Sequence, residues 1–420
     1  MRLTVVGGGS TYTPELVDGL ARLADRVPFT ELVLVDPDRA RLAVVGGFAD
    51  RLLAAHGSAV RLTLTDDLAA GVSEAAAVLL QLRVGGQQAR AGDETFPLHC
   101  GCVGQETTGA GGLAKALRTV PVVLDIARVV RERALPDAWI VDFTNPVGIV
   151  TRALLDDGHR AVGLCNVAIG FQRLFAQWLA VPADAVALDH VGLNHLTWIR
   201  AVTVAGADRL PQLLASHGAE LAERIELPRP VFDLVGAVPS YYLRYFYAHD
   251  AVVDELRRTG TRADEVLRIE RELLDLYADP ALTAKPDLLA QRGGAYYSEA
   301  AVALLASLLG SGSPQRHVVN QRNGGLLPFL PERAVVELPA MVDAAGLHPV
   351  PIAPLDPQLA GLVGHVSAYE ELALAAALHG GRQRVEAALL AHPLVGQVDL
   401  AVRLADLLIA GNTEHLAWAR

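Results

Sequence analysis

A glycine-rich turn near the start of the sequence could bind a dinucleotide. The turn consists of Gly7, Gly8, Gly9, Ser10 and Thr11. It follows an apolar run and leads into a helix that is predicted to begin at about Pro14. Glycines in such a turn let backbone N–H groups approach a pyrophosphate at the N-terminus of the helix. The fingerprint is incomplete, because Tyr12 occupies the position of the usual third glycine.

An acidic residue ends the next predicted strand. Asp36 follows the apolar run 32–35 and could accept hydrogen bonds from an adenosine ribose, which favours NAD over NADP. The simpler interpretation is an ordinary strand, turn and helix with glycine at a tight turn. Because the strand, turn, helix, second strand and acid occur in the expected order, we favour a dinucleotide site.

Polar residues follow several other predicted strands at the point where each strand ends. They are Arg83, Asn145, Cys165, Asn166, Asn194 and His195. In open parallel sheets, ligands bind beyond the C-terminal ends of the strands. A single residue of this kind could simply form a turn, as Asn145 before Pro146 could. Taken together, the set predicts one crevice.

Two of these residues could share a divalent metal ion. Cys165 and His195 would supply a soft and a borderline ligand. Their separation of 30 residues matches no metal motif, and a lone buried cysteine usually packs in a core. The spacing alone therefore favours a structural role for Cys165.

Tyrosines are concentrated in the segment 241–247 of a chain with 5% aromatic residues. Helical spacing would bury some of these rings simply as core. A tyrosine beside arginine can also transfer a proton if its pKa is lowered. Both interpretations remain open at this point.

These residues depend on a sheet to position them. Strands are predicted at 3–6, 32–35, 62–64, 77–82, 139–143, 161–164 and 186–191, with helical segments such as 114–131 between most of them. This alternation is typical of a doubly wound, mostly parallel sheet, the Rossmann-like α/β fold of lactate and malate dehydrogenases. After Asn194 the pattern becomes mainly helical over 240–312 and 369–418, with a late strand at 335–338. We expect an NAD-binding domain, 1–194, and an interlocked, mainly helical α+β domain, 195–420, for the substrate, the metal and oligomer contacts.

Composition excludes several classes of partner. The 420 residues carry 47 acidic and 36 basic side chains, a formal charge of -11, so we expect neither nucleic acid nor an anionic membrane as a partner. No apolar run reaches the roughly 18 residues that a membrane span needs. Three cysteines are too few for a disulfide framework, and residues 1–6 predict a strand in place of a secretory leader. We therefore expect a cytoplasmic protein.

Longer motifs resemble glycoside hydrolase family four and, within it, the 6-phospho-β-glucosidases. They are Gly7 to Leu16, Gly104 to Gly109, Asn145-Pro146, Gly163 to Val167, Gly192 to Trp198 and Arg292 to Glu299. Tyr12 is normal in this family. The resemblance implies that tightly held NAD takes a hydride from C3 of the sugar while a divalent metal, usually Mn²⁺, polarises the C2 and C3 oxygens. A base then removes the C2 proton, the aglycone leaves, water adds and the hydride returns.

The resemblance also assigns roles to individual residues. Cys165 and His195 match metal ligands, and Tyr242 best matches the C2 base, with Tyr241 as its immediate neighbour. The glycine turn, Asp36 and Arg83 are assigned to NAD, and the substrate positions are Arg90 for phosphate, Asn145, Asn166 and Arg292. Asn166 resembles the β-specific members, whereas Ala168 departs from the proline that is common there. For Arg90 and Arg292 the alternative is a surface or interdomain ion pair.

Other functions stay open beside this one. The same chemistry could act on an unphosphorylated or α-linked sugar, and the fold could also serve a 2-hydroxy-acid dehydrogenase or a silent NAD-binding regulator. The expected partner is a phosphorylated disaccharide or an aryl or alkyl glucoside, bound by a homodimer or homotetramer.

Overall fold

The computed structural model describes residues 1–27, 29–294, 296–310 and 312–420. Ala295, which lies within one of the motifs above, is outside the described residues. The strands are β1 Arg2–Val6, β2 Glu31–Val35, β3 Arg61–Thr65, β4 Ala75–Leu80, β5 Trp139–Asp142, β6 Ala161–Gly163, β7 Val186–Leu193, β8 Leu196–Val204, β9 Ala207–Asp208, β10 Val238–Pro239, β11 Gln315–Arg322, β12 Val335–Asp343 and β13 Gly346–Pro349.

Helices surround these strands throughout the described chain. They are α1 Thr13–Arg22, α2 Arg39–Ala55, α3 Leu68–Val72, α4 Gly86–Thr95, α5 Gly109–Arg133, α6 Val147–Asp156, α7 Val167–Leu179, α8 Leu210–Ile225, α9 Pro230–Val235, α10 Arg244–Tyr247, α11 His249–Thr259, α12 Arg262–Ala278, α13 Leu288–Gln291, α14 Tyr297–Leu309, α15 Pro357–His379, α16 Arg382–Ala391 and α17 Val398–Gly411. No helix in the described ranges has the length and apolar character to cross a membrane.

The first six strands form the parallel part of one sheet. Their spatial order is β3-β2-β1-β4-β5-β6, and each neighbouring pair is parallel. This is the order of a Rossmann fold, and it brings the ends of β1, β2, β4, β5 and β6 to one edge. The central strands are apolar and buried on both faces, as expected for strands covered by helices on each side. All seven predicted strands are confirmed, with β4 lying two residues earlier than predicted.

The second half of the chain completes the same sheet. The strands β11, β12 and β13 extend it antiparallel beyond β6, so the late strand predicted at 335–338 is confirmed as part of β12. A separate sheet contains the antiparallel hairpin β7–β8, with β10 and β9 beside β8. The segments 240–312 and 369–418 are mainly helical, as predicted. A domain division at residue 194 stays a prediction.

Candidate active site

The glycine turn packs tightly against its two neighbouring strands. Gly7 has a φ of +89°, and a Cβ there would lie 2.6 Å from the Gln81 carbonyl oxygen. A Cβ on Gly8 would lie 2.7 Å from the Leu34 Cβ. Side chains at these positions would displace the turn, so glycine keeps the backbone at the sheet edge where a pyrophosphate can approach it. The turn therefore fits NAD.

Asp36 lies directly beside this turn. Its carboxylate accepts hydrogen bonds from the Gly9 N–H at 2.9 Å and the Asp38 N–H at 3.0 Å. Register explains the proximity, because Val6 and Val35 are paired and Gly7 and Asp36 follow them. Each carboxylate oxygen can accept a further hydrogen bond, so an adenosine ribose can still be bound. The position fits the predicted cofactor role, which stays a prediction.

Arg292 contacts the glycine turn from the second half of the chain. Its Nε donates to Thr11 Oγ1 at 2.7 Å, and its guanidinium pairs with Glu270 at 3.0 Å. Arg41 pairs with the same carboxylate and donates to the Gly9 carbonyl oxygen at 2.7 Å. The structure thus places Arg292 at the dinucleotide turn, and its predicted substrate role remains a prediction.

Cys165, His195 and Tyr242 come together in the fold. The rings of His195 and Tyr242 stack with centroids 3.6 Å apart. Cys165, at the exit of β6, is near enough for its charge to act on Tyr242. The side chains of Asn194 and Tyr297 form hydrogen bonds with the Cys165 thiol. Three residues from separate segments thus surround one small volume.

Burial determines the protonation of the two candidate ligands. It lowers the pKa of His195 to about 4, so its imidazole is neutral near pH 7. Thr107 Oγ1 lies 2.9 Å from His195 Nδ1, so Nε2 is the nitrogen that remains for a ligand bond. Burial, followed by the negative charge of Glu337, raises the pKa of the Cys165 thiol. Cys165 would therefore have to lose its proton to act as a metal ligand.

The donor set fits a divalent metal ion only with further ligands. Within the described ranges, no group of three or more His, Cys, Asp and Glu side chains forms a metal site. Asn145 follows the end of β5 and offers another polar atom. Its Oδ1 is buried without a hydrogen-bond partner in the described structure. A thiolate and a neutral imidazole leave positions for substrate oxygens or water, as an open catalytic site requires.

A buried carboxylate connects the two predicted arginines of the crevice. Glu106 pairs with Arg83, with Arg90 at 3.2 Å and with Lys115 at 2.5 Å. Burial acts to raise the pKa of Glu106, but the positive charges of Lys115, Arg83 and Arg90 hold it well below the usual range. Arg90 also pairs with Glu94 at 2.7 Å. Both predicted arginines are thus already ion-paired inside the site.

Three residues of the site had no predicted role of their own. Glu106 and Thr107 lay in a motif that was noted only for its resemblance, and no role was assigned to Lys115. A signal was present, because only Lys115 and Lys285 are lysines among 36 basic residues. Burial lowers the pKa of Lys115 to about 8, although Glu106 acts against this shift. Asn166 follows Cys165 at the start of α7, and its predicted substrate role stays a prediction.

A small cavity adjoins His195. It is lined by Thr107, Asn194, His195, Tyr369, Glu370 and His392, together with apolar side chains. Burial raises the pKa of Glu370 from its ordinary 4.5 to about 8, with Arg152 acting in the opposite direction. The Glu370 carboxyl is therefore protonated in the folded protein near neutral pH.

We expect Glu370→Gln to stabilise the protein increasingly as the pH rises from 5 to 9. The folded pKa is raised, so the folded state binds the Glu370 proton more tightly than the unfolded state does. The stability that Glu370 contributes is complete below pH 4.5 and is lost as the pH rises through 8. Glutamine has no such loss, and its advantage should reach about 1–4 kcal/mol, discounted for partial exposure.

Thermal midpoints of both proteins between pH 5 and 9 provide the measurement. The control is Glu371→Gln, which removes a surface carboxylate that pairs with Arg152 and Arg333. This control should give no gain that grows with pH. A constant difference between Glu370→Gln and the parent protein would contradict the protonated state of Glu370.

Comparisons with known proteins cover almost the whole chain. The model of family 4 glycosyl hydrolases matches residues 2–181, and the model of the family's C-terminal domain matches residues 190–395. A probable 6-phospho-beta-glucosidase of Bacillus subtilis is 37% identical over 99% of this chain and 97% of its own. The solved 6-phospho-beta glucosidase of Thermotoga maritima, with manganese, NAD+ and glucose-6-phosphate, superposes with a TM-score of 0.93 at 34% identity, covering 99% of each chain.

A more distant likeness confirms the architecture. A lactate dehydrogenase from a deep-sea metagenome superposes with a TM-score of 0.55 over 90% of this chain and 99% of its own. At 13% identity this match shows the fold alone, and it confirms the predicted likeness to the lactate dehydrogenase architecture. Two family models and a full-length relative above 30% identity decide the membership. The chain belongs to glycosyl hydrolase family 4.

Proposed function

We propose that the chain hydrolyses 6-phospho-β-D-glucosides with the help of NAD and a divalent metal ion, Mn²⁺. The observation that carries this proposal is the stacking of Tyr242 on His195, with Cys165 beside the pair. It occurs in a chain that is alike over its full length to a solved 6-phospho-beta glucosidase with manganese, NAD+ and glucose-6-phosphate. A tyrosine beside two candidate metal ligands suits elimination beside an oxidised carbon, which differs from the two-carboxylate mechanism of an ordinary glycosidase.

The two cofactors have suitable residues in different parts of the crevice. The chemistry that NAD and Mn²⁺ supply when bound is hydride exchange at C3 and polarisation of the C2 and C3 oxygens. The glycine turn and Asp36 would hold NAD, with Arg83 on the neighbouring strand exit. Cys165 and His195 would hold the metal ion through a thiolate and an imidazole nitrogen.

Tyr242 would remove the proton from C2 of the sugar. Burial, followed by the charges of Cys165 and Glu106, raises the pKa of Tyr242, whereas Arg90 acts to lower it. A phenol in these surroundings is protonated at rest. It can act as a base only when positive charge in the site favours the phenolate.

Arg90 and Arg292 would bind the 6-phosphate of the sugar. Their planar guanidinium groups suit two phosphate oxygens. Each one is now paired with a carboxylate, Arg90 with Glu94 and Glu106, and Arg292 with Glu270. A phosphate dianion would have to compete with these pairs, so its binding should depend strongly on each arginine. Asn145 and Asn166 are proposed to contact the sugar.

We expect the enzyme to cleave 4-nitrophenyl β-glucoside 6-phosphate in preference to three matched substrates. These are the unphosphorylated β-glucoside and the two α-glucosides, with and without the 6-phosphate. Arg90→Ala should lower kcat/KM on the preferred substrate by about 30- to 4,000-fold, corresponding to roughly 2–5 kcal/mol for a charge left without its partner. The unphosphorylated glucoside should be affected much less.

Initial rates of nitrophenol release on all four substrates test both statements. Arg224→Ala is a matched control, because it removes another helical i,i+4 arginine, paired with Glu220 on the surface. Equal losses on phosphorylated and unphosphorylated substrates would contradict a phosphate role for Arg90. Preference for an unphosphorylated or α-linked sugar would contradict the assignment of 6-phospho-β-D-glucosides as the substrate. Accumulation of NADH would favour a 2-hydroxy-acid dehydrogenase, and a silent protein would favour an NAD-binding regulator.

We also propose a cytoplasmic location and a homodimer or homotetramer that accepts phosphorylated disaccharides or aryl and alkyl glucosides. Support for the location comes from the cysteines, because Cys100, Cys102 and Cys165 are all free thiols. Free thiols are typical of a reducing compartment.

A further inference from the structure

Glu337 is an acidic residue inside an apolar strand. It lies in β12 with Val335, Val336 and Leu338, and its exposed fraction is 1%. A carboxylate this deeply buried is costly unless hydrogen bonds compensate the loss of water. The surroundings of Glu337 must therefore supply donors.

The register of the sheet brings a polar row to Glu337. Asp142 of β5 is paired with Gly163 of β6, Gly163 with Asn320 of β11, and Asn320 with Glu337 of β12. Residues paired in this way point to the same face of the sheet. The row therefore crosses four strands at the edge where the crevice lies, and Glu337 is its outermost member.

Three donors fix the carboxylate of Glu337. His190 Nε2 lies 3.0 Å from Oε1, whereas Asn194 Nδ2 and Asn320 Nδ2 donate to Oε2 at 2.9 and 3.0 Å. His190 belongs to β7, Asn320 to β11 and Asn194 to the turn between β7 and β8. Contacts from three segments determine both the position and the orientation of this side chain.

One of these donors leads directly to the candidate metal ligands. Asn194 precedes His195, which has a φ of +62° in the hairpin turn, an uncommon conformation for a residue other than glycine. Asn194 also contacts the Cys165 thiol. The carboxylate of Glu337 therefore holds Asn194, which contacts the Cys165 thiol and directly precedes His195 in the chain.

The negative charge of Glu337 also affects the two candidate metal ligands. It acts on both Cys165 and His195. Glu106 also acts on His195, but it is already paired with Arg83, Arg90 and Lys115. A divalent cation on one thiolate and a neutral imidazole keeps one positive charge, and Glu337 balances it without being a ligand.

We propose that Glu337 is a positioning residue for the metal site, which fixes the Asn194–His195 turn and balances the second charge of a divalent cation. This inference rests on the metal site of the proposed function. It gives Glu337 a role beside the metal site and not as a ligand, because both of its oxygens already face hydrogen-bond donors of the protein.

Glu337→Gln separates charge from geometry. Oε2 accepts from both asparagines, so an amide oxygen can occupy its place, and the amide nitrogen then faces His190. His190 can accept that hydrogen bond by moving its proton to Nδ1, which has no partner in the described structure. All three contacts can then be kept, so the substitution removes the negative charge and changes the tautomer of His190.

We expect Mn²⁺ affinity of the NAD-loaded Glu337→Gln enzyme to fall about 10- to 100-fold, with thermal midpoint and NAD affinity close to the parent protein. Isothermal titration calorimetry with Mn²⁺ measures this without reference to activity. Glu31→Gln is the control, because it removes a buried carboxylate at the start of β2 and should leave Mn²⁺ affinity unchanged. Glu337→Asp keeps the charge and should stay within about tenfold of the parent.

The titrations distinguish a failure of the inference about Glu337 from a failure of the proposed function. Equal affinity in the parent protein and Glu337→Gln would overturn the role of Glu337 while leaving the metal site intact. If Glu337→Gln does not fold, the folded Glu337→Asp enzyme decides the question. A fall in its Mn²⁺ affinity of more than about 100-fold would exceed what a residue outside the ligand shell contributes, and it would overturn the inference. A parent protein that binds no Mn²⁺ would overturn the proposed function and the inference with it.

Discussion

Tyr242→Phe is expected to slow turnover by about 100- to 10,000-fold, the range that a general base contributes. The phenolic hydroxyl is the only group removed, and the ring can still stack on His195 at the observed 3.6 Å. NAD and Mn²⁺ binding should therefore stay near normal. Because the same group is proposed to remove the C2 proton, exchange of that proton with solvent should slow in parallel.

Nuclear magnetic resonance of the product formed in heavy water measures both effects. The parent enzyme should place deuterium at C2, whereas a two-carboxylate hydrolase leaves the C2–H bond intact. Tyr241→Phe is the control, since the Tyr241 hydroxyl accepts from Arg244 at 2.9 Å and not from the metal site. Full protium at C2 from the parent enzyme would contradict elimination. Loss of exchange in Tyr241→Phe alone would assign the base to Tyr241.

Cys165→Ser or His195→Ala should weaken Mn²⁺ binding more than the roughly 10- to 100-fold that loss of an outer-shell group costs. Each change removes one of two proposed protein ligands. Both side chains are buried, with exposed fractions of 4% and 6%, so solvent is poorly placed to replace them. Turnover should fall with metal occupancy, while the glycine turn and NAD binding remain intact.

The pH dependence of Mn²⁺ affinity identifies the ligands further. Burial raises the pKa of Cys165 and lowers that of His195 to about 4, so one proton, from the thiol, is released on binding above pH 5. Affinity should then rise about tenfold per pH unit. Calorimetry between pH 6 and 8 tests this, with Cys100→Ser as a control thiol outside the crevice. Unchanged affinity in Cys165→Ser, or affinity independent of pH, would contradict the assignment.

Much of the sheet was predictable from local pattern. The strands β1, β2 and β4 are short apolar runs that end at glycine, Asp36 and a polar segment, and such runs fit strands buried on both faces. The hairpin β7–β8 was only half predicted. Its return strand, Leu196–Val204, follows a two-residue turn in which His195 adopts a positive φ, without the glycine that usually indicates such turns.

The site was predictable where residues follow strands and not where contacts are distant in sequence. Cys165 and His195 were found at strand exits and considered as a metal-binding pair, but their spacing favoured a structural role for Cys165, and only the family resemblance assigned both as ligands. Glu337 lay within a strand that was predicted correctly, yet its role depends on Asn320 and Asn194, which the fold brings to it. One signal was present, since a lone carboxylate in an otherwise apolar strand requires a partner.

The completion of the first sheet by β11, β12 and β13 affects how the protein is made. During synthesis, β6 emerges about 150 residues before β11, and the two strands are paired only through Gly163 and Asn320. The nascent Rossmann half is therefore expected to present an unpaired strand edge for about 8–30 s at ribosomal rates. Slow elongation or truncation before residue 315 would prolong this exposure and favour aggregation or capture by chaperones. The crevice is completed only after β12, which carries Glu337, has been translated.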